Sequence, residues 1–424
     1  MRDRAAGWID AVEAHLTARF ARRAGQVSAG LCLAVVIGWC FTYRDGLDWQ
    51  AAPVGTDFAA FWWAARVTLA EGALPAYDLW HAWQGQHEYW PGLQGAFAWV
   101  YPPSFLLLVL GLGLLPHLVA FGVWTAATVA PYLAVLRRQV PAGGGWLALG
   151  FPGLWMGIGQ GQNQFLTASL MAGAVLLVRR HPVLAGLCAG LLAIKPHLAV
   201  VLPLAYAAAR AWRAFASAAA TAVLVTVGSA AMLGWGTIPA WFDAMAFVGD
   251  AIDEGRLPVW KFVSPYTSLI WLGVPVPAAA AGHAVVAAGA AVAVWRVWRR
   301  TDRATLRGIA AMSATFLVTP YSADYDLAWL AFPLAWLAAE AVGHGGYGGH
   351  GEHGGPGDLQ GWGWRRGERL LLAGGYVAVL TTLPAVVTHV QVAPFILAGL
   401  AYAADRRSAP SGPAASPAAT SAGA

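Results

Sequence analysis

Residues 26–43, QVSAGLCLAVVIGWCFTY, form an apolar run directly preceded by Arg22 and Arg23. A transmembrane helix needs about 20 mostly apolar residues, and positive charges mark its cytoplasmic end. The region has too many charges before the apolar run, and no small-residue cleavage site, for a cleaved signal peptide. We therefore expect an uncleaved first membrane span, with residues 1–25 in the cytoplasm.

The composition of the whole chain agrees with a membrane location. Of 424 residues, 58% are hydrophobic and 11% are charged, whereas soluble domains contain about a quarter charged residues. So few charges cannot cover a water-facing surface, so most of the outer surface must face lipid. The 23 tryptophans are typical of anchoring at the interface. The three cysteines lie in apolar runs, where we expect packing residues and not disulfides or metal ligands.

Apolar runs recur along the chain and predict an all-α polytopic membrane protein with about 12 transmembrane helices. Several runs are short, which lipid tolerates only where protein packs around them. The predicted spans are residues 26–43, 117–136, 146–158, 164–178, 183–194, 197–209, 213–233, 278–298, 307–319, 325–341, 370–387 and 390–403. This arrangement places every arginine cluster in the cytoplasm, so we interpret the clusters as topology signals and not as a nucleic-acid-binding surface.

The predicted transmembrane domain covers residues 26–403. Its periplasmic first loop, 45–116, contains two amphipathic stretches and an apolar segment at 103–115, PSFLLLVLGLGLL, which we expect to be half inserted on the outer side. The cytoplasmic loop 343–369 is rich in glycine and histidine, and residues 404–424 are rich in alanine, serine and proline. Both compositions predict disorder.

Asp57, in the stretch GTDFAAFW, has two compatible explanations. The aromatic residues Phe61, Trp62 and Trp63 predict a helix lying in the membrane interface with its aromatic side toward lipid. Asp57 would then be the N-cap of that helix. In the second explanation, Asp57 is a carboxylate at the membrane–water boundary that takes a proton from an attacking hydroxyl as general base.

Lys195 interrupts an apolar pair of segments together with Pro196. A lysine within a membrane-embedded stretch costs roughly 2.5–3.5 kcal/mol on insertion scales, so it usually faces a cavity and a partner. A lysine that extends to the interface is the simpler alternative. In the functional reading, Lys195 and Arg66 are the best candidates for binding a phosphate.

Polar side chains between short helices predict a cavity at the outer face. Gln160 and Asn163 belong to the stretch GQGQN at 159–163, which has three amides in four residues. Tyr101 precedes two prolines at the point where the chain re-enters the membrane. A simple helix start explains those prolines equally well, and Tyr101 is a candidate for the cavity wall.

Asp324 and Tyr325 lie in the junction 319–326, TPYSADYD, which predicts a second acidic group near the outer boundary. Capping of the following helix by Asp324 is at least as good an explanation. The sequence has no Walker A motif, no nucleophile elbow and no zinc-type cysteine pairs. We expect neither a metal nor a cofactor.

In their order along the chain, these residues resemble the GT-C glycosyltransferases, and within them glycosyltransferase family 87. That family includes mycobacterial mannosyltransferases that use polyprenol-phosphate mannose. The similarity runs from about residue 55 to 330. The matching segments are GTDFAAFW at 55–62, GALPAYD at 72–78, YPP at 101–103, Gly159-Gln160 with Asn163, Gly186 and Gly190 with Ile194-Lys195-Pro196, and Thr319-Pro320 with Tyr325-Asp326.

The resemblance implies a GT-C-like bundle in the cell inner membrane with its active site facing the periplasm. The donor would be a sugar, mannose in the known members, on polyprenyl phosphate, and the acceptor a lipid or glycan. Asp57 would deprotonate the acceptor hydroxyl, which attacks with inversion, while Lys195 and Arg66 stabilise the departing phosphate. Some members place a histidine in the late loop; this chain has none there, and Asp324 or Tyr325 is expected to replace it.

A secondary transporter or flippase of a lipid-linked or anionic substrate is the alternative, with Lys195 and the broken helices forming a midplane site. Matching interruptions in both halves of the chain would favour it, but those at 159–163 and 195–196 both lie in the first half. A membrane assembly scaffold is a third reading, and it leaves Lys195 unexplained.

Overall fold

The computed structural model describes residues 2–345 and 363–409, and within them the chain is helical, with isolated β-bridges and no strand. The helices are α1 (Arg2–His15), α2 (Ala18–Cys40), α3 (Phe58–Glu71), α4 (Leu79–Tyr89), α5 (Pro103–Val109), α6 (His117–Leu136), α7 (Gly145–Leu149), α8 (Pro152–Gln160), α9 (Gln164–Leu176), α10 (Pro182–Leu191), α11 (Leu202–Ala208), α12 (Trp212–Leu233), α13 (Thr237–Asp253), α14 (Pro265–Trp271), α15 (Val276–Arg300), α16 (Ala304–Val318), α17 (Ala331–Gly345), α18 (Glu368–Val377), α19 (Thr382–Thr388) and α20 (Ala393–Ser408). Short 3₁₀ helices occupy Leu74–Tyr77, Leu110–Leu114, Leu192–Ile194, Pro196–Ala199, Val259–Lys261, Asp324–Leu330 and Ala378–Thr381. The all-α prediction is confirmed.

Four helices in the described part of the chain, α2, α6, α12 and α15, are long and apolar enough to cross a membrane. Each coincides with a predicted span. The other predicted spans fall on shorter helices, so the count of about 12 is not confirmed. Pro152 accounts for one case, because it divides the predicted span 146–158 into α7 and α8 and a proline cannot continue a preceding helix.

The disordered tail predicted from residue 404 is wrong for its first five residues, because α20 continues to Ser408. Arg407 on its last turn is buried and donates from Nε to Oε1 of Glu368 at 2.8 Å. This ion pair joins the end of α20 to the start of α18 and stabilises the last helical turn. The rest of the predicted tail, residues 410–424, and residues 346–362 of the predicted Gly/His-rich loop lie outside the described residues.

Helix α3 does not lie in the interface with an aromatic side toward lipid, as its sequence predicts. Phe61, Trp62 and Trp63 are all buried in protein. The apolar segment 103–115 covers the helix, and the Trp62 indole donates to the carbonyl of Leu115 at 2.9 Å. An apolar helix can be buried by lipid or by protein, and here protein covers the aromatic residues of α3.

Helix α16 forms the centre of the bundle, where every residue from Leu306 to Leu317 is buried. It packs against α9, α15, α17 and α20. Its 15 residues are fewer than a free membrane span requires. Protein neighbours on all sides allow this short length.

Small residues set the distance between α12 and α10, the helix that precedes Lys195 in the chain. A Cβ at Gly186 would lie 2.4 Å from the carbonyl oxygen of Ala214, and one at Gly190 would lie 2.4 Å from Cβ of Thr221. Neither position has room for a side chain. Two glycines four residues apart therefore bring the helix backbones together, as in membrane helix pairs.

Candidate active site

Asp57 directly precedes α3, but its carboxylate does not cap that helix. Its backbone is in the right-handed helical region, with φ −78° and ψ −23°, and its side chain makes no capping hydrogen bond. The Asp57 amide instead donates to the carbonyl of Gln160 at 3.1 Å. Capping therefore does not explain this residue, and its half-buried carboxylate is left for another role.

The close approach of Asp57 to the end of α8 depends on Gly161. This residue has φ +67°, in the left-handed region where glycine is favoured. A Cβ on it would lie 2.7 Å from Cβ of Phe58. Glycine thus serves both the turn between α8 and α9 and the contact with the start of α3.

Two tyrosines and one amide surround the Asp57 carboxylate. The Tyr101 hydroxyl lies 2.9 Å from Oε1 and 2.8 Å from Nε2 of Gln162. Gln162 also makes a side-chain hydrogen bond to Asp57, and Tyr101 makes one to Tyr325. The first loop, the α8–α9 turn and the late junction therefore meet at Asp57.

Lys195 is held by a carboxylate that comes from the late junction. Its Nζ lies 2.7 Å from both carboxylate oxygens of Asp326, and both side chains are almost completely buried. The same Nζ lies 4.7 Å from the centre of the Tyr325 ring. The cation faces the protein interior and is neutralised there, so the interfacial explanation of Lys195 is not supported.

The late junction also pairs with the loop between α13 and α14. Phe262 and Ala323 form an antiparallel β-bridge, and the Val263 amide donates to the carbonyl of Ser322 at 2.7 Å. This pairing places Lys261 beside Asp324. The Asp324 carboxylate accepts a hydrogen bond from the amide of Tyr325, the next residue, at 2.8 Å. The 3₁₀ helix that begins at Asp324 has Ala323 at its N-cap position and no side-chain cap, so capping does not explain Asp324.

The environment of Asp57 favours a basic carboxylate. Burial raises the pKa of Asp57 above its ordinary value, and the charge of Asp326 raises it further. Lys261, the hydrogen bond from Gln162 and the charge of Lys195 lower it in part. A carboxylate with a raised pKa accepts a proton more readily, which is the property a general base needs.

Asp324 has a similar environment. Burial raises its pKa to about 6, Lys261 acts in the opposite direction, and the nearby charge of Asp57 raises it again. A carboxylate that raises the pKa of another carboxyl group lies close to it in space. Asp57 and Asp324 therefore belong to one cluster, although 267 positions separate them in the sequence.

The structure brings most of the predicted site residues together, but not all of them. Gln160 contributes its backbone carbonyl, and the Asn163 side-chain amide is fully buried, without a hydrogen-bond partner among the described residues. Arg66 lies about two and a half turns along α3 from Asp57. It is exposed, with its guanidinium 5.5 Å from the centre of the Trp62 ring.

Three residues of the cluster are absent from the predicted set. Gln162 lies in the same amide-rich stretch as Gln160, and only the turn at Gly161 decides which amide faces Asp57. Asp326 had a sequence signal, since a lysine in an apolar segment requires a partner. Lys261 had none, because it is one of six charged residues between the predicted spans 213–233 and 278–298.

The family model of glycosyltransferase family 87 matches residues 99–320, just over half of the sequence. This chain belongs to glycosyltransferase family 87. Its family membership and its long apolar helices make it a membrane glycosyltransferase. No curated protein and no solved structure matches the chain.

The family match covers part of the cluster around Asp57 in this glycosyltransferase. Tyr101, Gln162, Lys195 and Lys261 lie inside the matched range. Asp57 precedes that range, and the late junction begins at its end. In residues 2–345 and 363–409, no group of three or more histidine, cysteine, aspartate or glutamate side chains is placed to hold a metal ion.

Proposed function

We propose that this glycosyltransferase moves a sugar from polyprenyl phosphate to a hydroxyl of a lipid or glycan on the periplasmic side of the inner membrane. The resemblance to known members favours mannose. The observation that supports the proposal best is the Asp57 carboxylate, which is half buried, caps no helix and lies among tyrosines and an amide. Such a group suits proton abstraction from an acceptor hydroxyl.

In the proposed reaction, Asp57 takes the proton of the acceptor hydroxyl while the hydroxyl oxygen attacks the anomeric carbon. The bond from that carbon to the phosphate oxygen breaks, and its electron pair stays on polyprenyl phosphate. Attack and departure on opposite faces of the sugar invert the anomeric configuration. The hydroxyls of Tyr101 and Tyr325 lie beside Asp57, where they can position the sugar.

Lys195 has a different part in this proposal from the phosphate binding that its sequence predicts. Its charge is matched by Asp326 and its Nζ is buried. The pair fixes the junction that carries Asp324 and Tyr325 beside Asp57. We propose that Lys195 is a positioning residue.

Family membership supports a transferase over the transporter alternative. Membranes that contain the protein should transfer radiolabelled mannose from polyprenyl phosphate to an extractable lipid or glycan, and membranes without it should not. A comparison of lipids and glycans from deletion and wild-type cells would then name the acceptor. If no polyprenyl-phosphate sugar serves as donor, while labelled polyprenyl-phosphate sugar crosses proteoliposome membranes, the transporter reading is favoured.

The pH dependence of kcat/KM in the variant Gln162→Met tests the electrostatics of the site. The charges of Lys261, Lys195 and Asp326 act on the pKa of Asp57, and the charge of Asp57 acts on Asp324. The hydrogen bond from the Gln162 amide lowers the pKa of Asp57. Its removal raises that pKa further. Because the base must be ionised, we expect the acid limb of the kcat/KM profile to move about one pH unit upward.

The matched control for this variant is Gln94→Met, which replaces an exposed amide of the same first loop. Its acid limb should coincide with that of the unmodified enzyme. An unchanged acid limb in Gln162→Met would mean that this amide does not act on the catalytic base.

A further inference from the structure

The antiparallel β-bridge between Phe262 and Ala323 joins the α13–α14 loop to the late junction. Lys261 precedes the bridge on one side and Asp324 follows it on the other, each in a 3₁₀ helix. The bridge therefore brings the backbones of these two residues close together. The charge of Lys261 acts on both Asp324 and Asp57, so this lysine lies at the edge of the Asp57 cluster.

Further contacts hold Lys261 in that place. Ser264 donates its hydroxyl to the carbonyl of Pro320, and the Lys261 amide donates to the carbonyl of Pro258 at 2.9 Å. Lys261 closes the 3₁₀ helix Val259–Lys261. Its backbone is thus tied both to its own loop and to the late junction.

The two lysines of the site differ in whether a ligand can reach them. Lys195 is almost completely buried and holds both oxygens of Asp326. Lys261 is exposed, and its Nζ lies 5.6 Å from the centre of the Trp260 ring. Across the described parts of the chain, no carboxylate lies within the 4.0 Å of its Nζ that an ion pair requires. Lys261 therefore has its donors open to an anion.

We infer that Lys261 binds the phosphate of the polyprenyl-phosphate donor and stabilises the charge that develops on it. This inference rests on the proposed function and transfers to Lys261 the role that the sequence predicts for Lys195 and Arg66. The donor is a phosphodiester with one negative charge, and the leaving group is a monoester that gains a second. A fixed ammonium beside the breaking bond stabilises that gain.

In this proposal, Asp57 and Lys261 act on opposite sides of the sugar. Asp57 receives the proton of the acceptor, and Lys261 faces the phosphate oxygen that receives the electron pair. The charge of Lys261 also acts on Asp57 and Asp324. When the anionic donor binds, it occupies the region between this cation and the two carboxyl groups.

The test compares Lys261→Met and Lys261→Arg with Arg256→Met. Arg256 is an exposed cation of the same loop that is paired with Glu254 at 2.6 Å, so its loss is the control. We expect Lys261→Met to raise the donor KM and the inhibition constant of added polyprenyl phosphate about 10-fold to 100-fold, as loss of a charged hydrogen bond does. Lys261→Arg should stay within a few-fold of the unmodified enzyme.

A second measurement makes the test independent of turnover. Polyprenyl phosphate should raise the thermal midpoint of the purified unmodified protein and of Lys261→Arg, but not of Lys261→Met. Equal stabilisation of all three overturns the inference. So does an acid limb that moves in Lys261→Met while the donor KM at alkaline pH is unchanged, since Lys261 would then act only through Asp57. Stabilisation without any sugar transfer by the unmodified protein overturns the proposed function and leaves the phosphate site standing.

Discussion

Asp57→Asn is expected to abolish sugar transfer, with kcat lower by about 10²–10⁴-fold, the usual contribution of a general base. The asparagine side chain has nearly the same shape but does not accept the proton. Because the Asp57 carboxylate caps no helix, its loss removes no contact on which α3 depends. Protein amount and fold should therefore be unchanged.

Thermal stability gives this experiment a second, independent readout. Burial raises the pKa of Asp57, so the ionised carboxylate is less stable in the folded protein than in the unfolded chain. That cost is absent below the ordinary carboxyl pKa and is fully present above the folded-state pKa. Asp57→Asn removes it, so the thermal midpoint at neutral pH should stay the same or rise. If Asp57 is the general base, its replacement should lower activity without lowering the thermal midpoint.

Asp78→Asn is the matched control, because Asp78 lies in the same first loop and its carboxylate caps α4 through the amides of Trp80 and His81. Asparagine caps helices as well as aspartate does, so activity and stability should both be retained. Both variants are measured in one membrane transfer assay with equal amounts of protein. Full activity in Asp57→Asn would remove this residue as the base.

The second large effect is expected from the buried pair of Lys195 and Asp326. Removing one partner leaves a buried charge without compensation, which costs about 3–5 kcal/mol of unfolding free energy. Lys195→Met and Asp326→Asn should therefore both give little folded protein and a much lower thermal midpoint in detergent. The double variant Lys195→Met/Asp326→Leu replaces the pair by apolar groups and should recover most of the stability.

Comparison with an exposed pair shows whether burial is the cause. Arg256→Met breaks the exposed pair with Glu254, where we expect a loss of no more than about 1 kcal/mol. If Lys195→Met kept the thermal midpoint and lost only donor binding, Lys195 would be a phosphate ligand, as the sequence predicts. The recovery of folding in the double variant separates these two roles.

The sequence predicted the elements of the fold better than their lengths. Apolar runs placed the four long helices α2, α6, α12 and α15 to within eight residues at either end, because any segment in lipid must satisfy its backbone internally. They did not predict that Pro152 divides the run 146–158 into the short helices α7 and α8. The burial of α3 was also missed, because an aromatic helix has the same sequence whether lipid or protein covers it.

The site was predicted in part for related reasons. Lys195 was predicted because a charged side chain in an apolar segment has a high free-energy cost of membrane insertion. Tyr101 was predicted because two prolines follow it. Gln162 could not be chosen over Gln160, since the left-handed turn at Gly161 decides which amide reaches Asp57. The local sequence pattern shows which type of side chain occupies a position, but it does not show where that side chain points.

Asp57 shows what each level of description determined. The sequence by itself determined that a carboxylate follows the first apolar span and precedes an aromatic helix, because hydropathy and residue type are local properties. Only the tertiary structure decided that this carboxylate caps nothing and that Gln162, Lys261 and Asp326 act on its charge. Those partners come from positions more than 100 residues away, and electrostatic interactions depend on distance in space and not on separation along the chain.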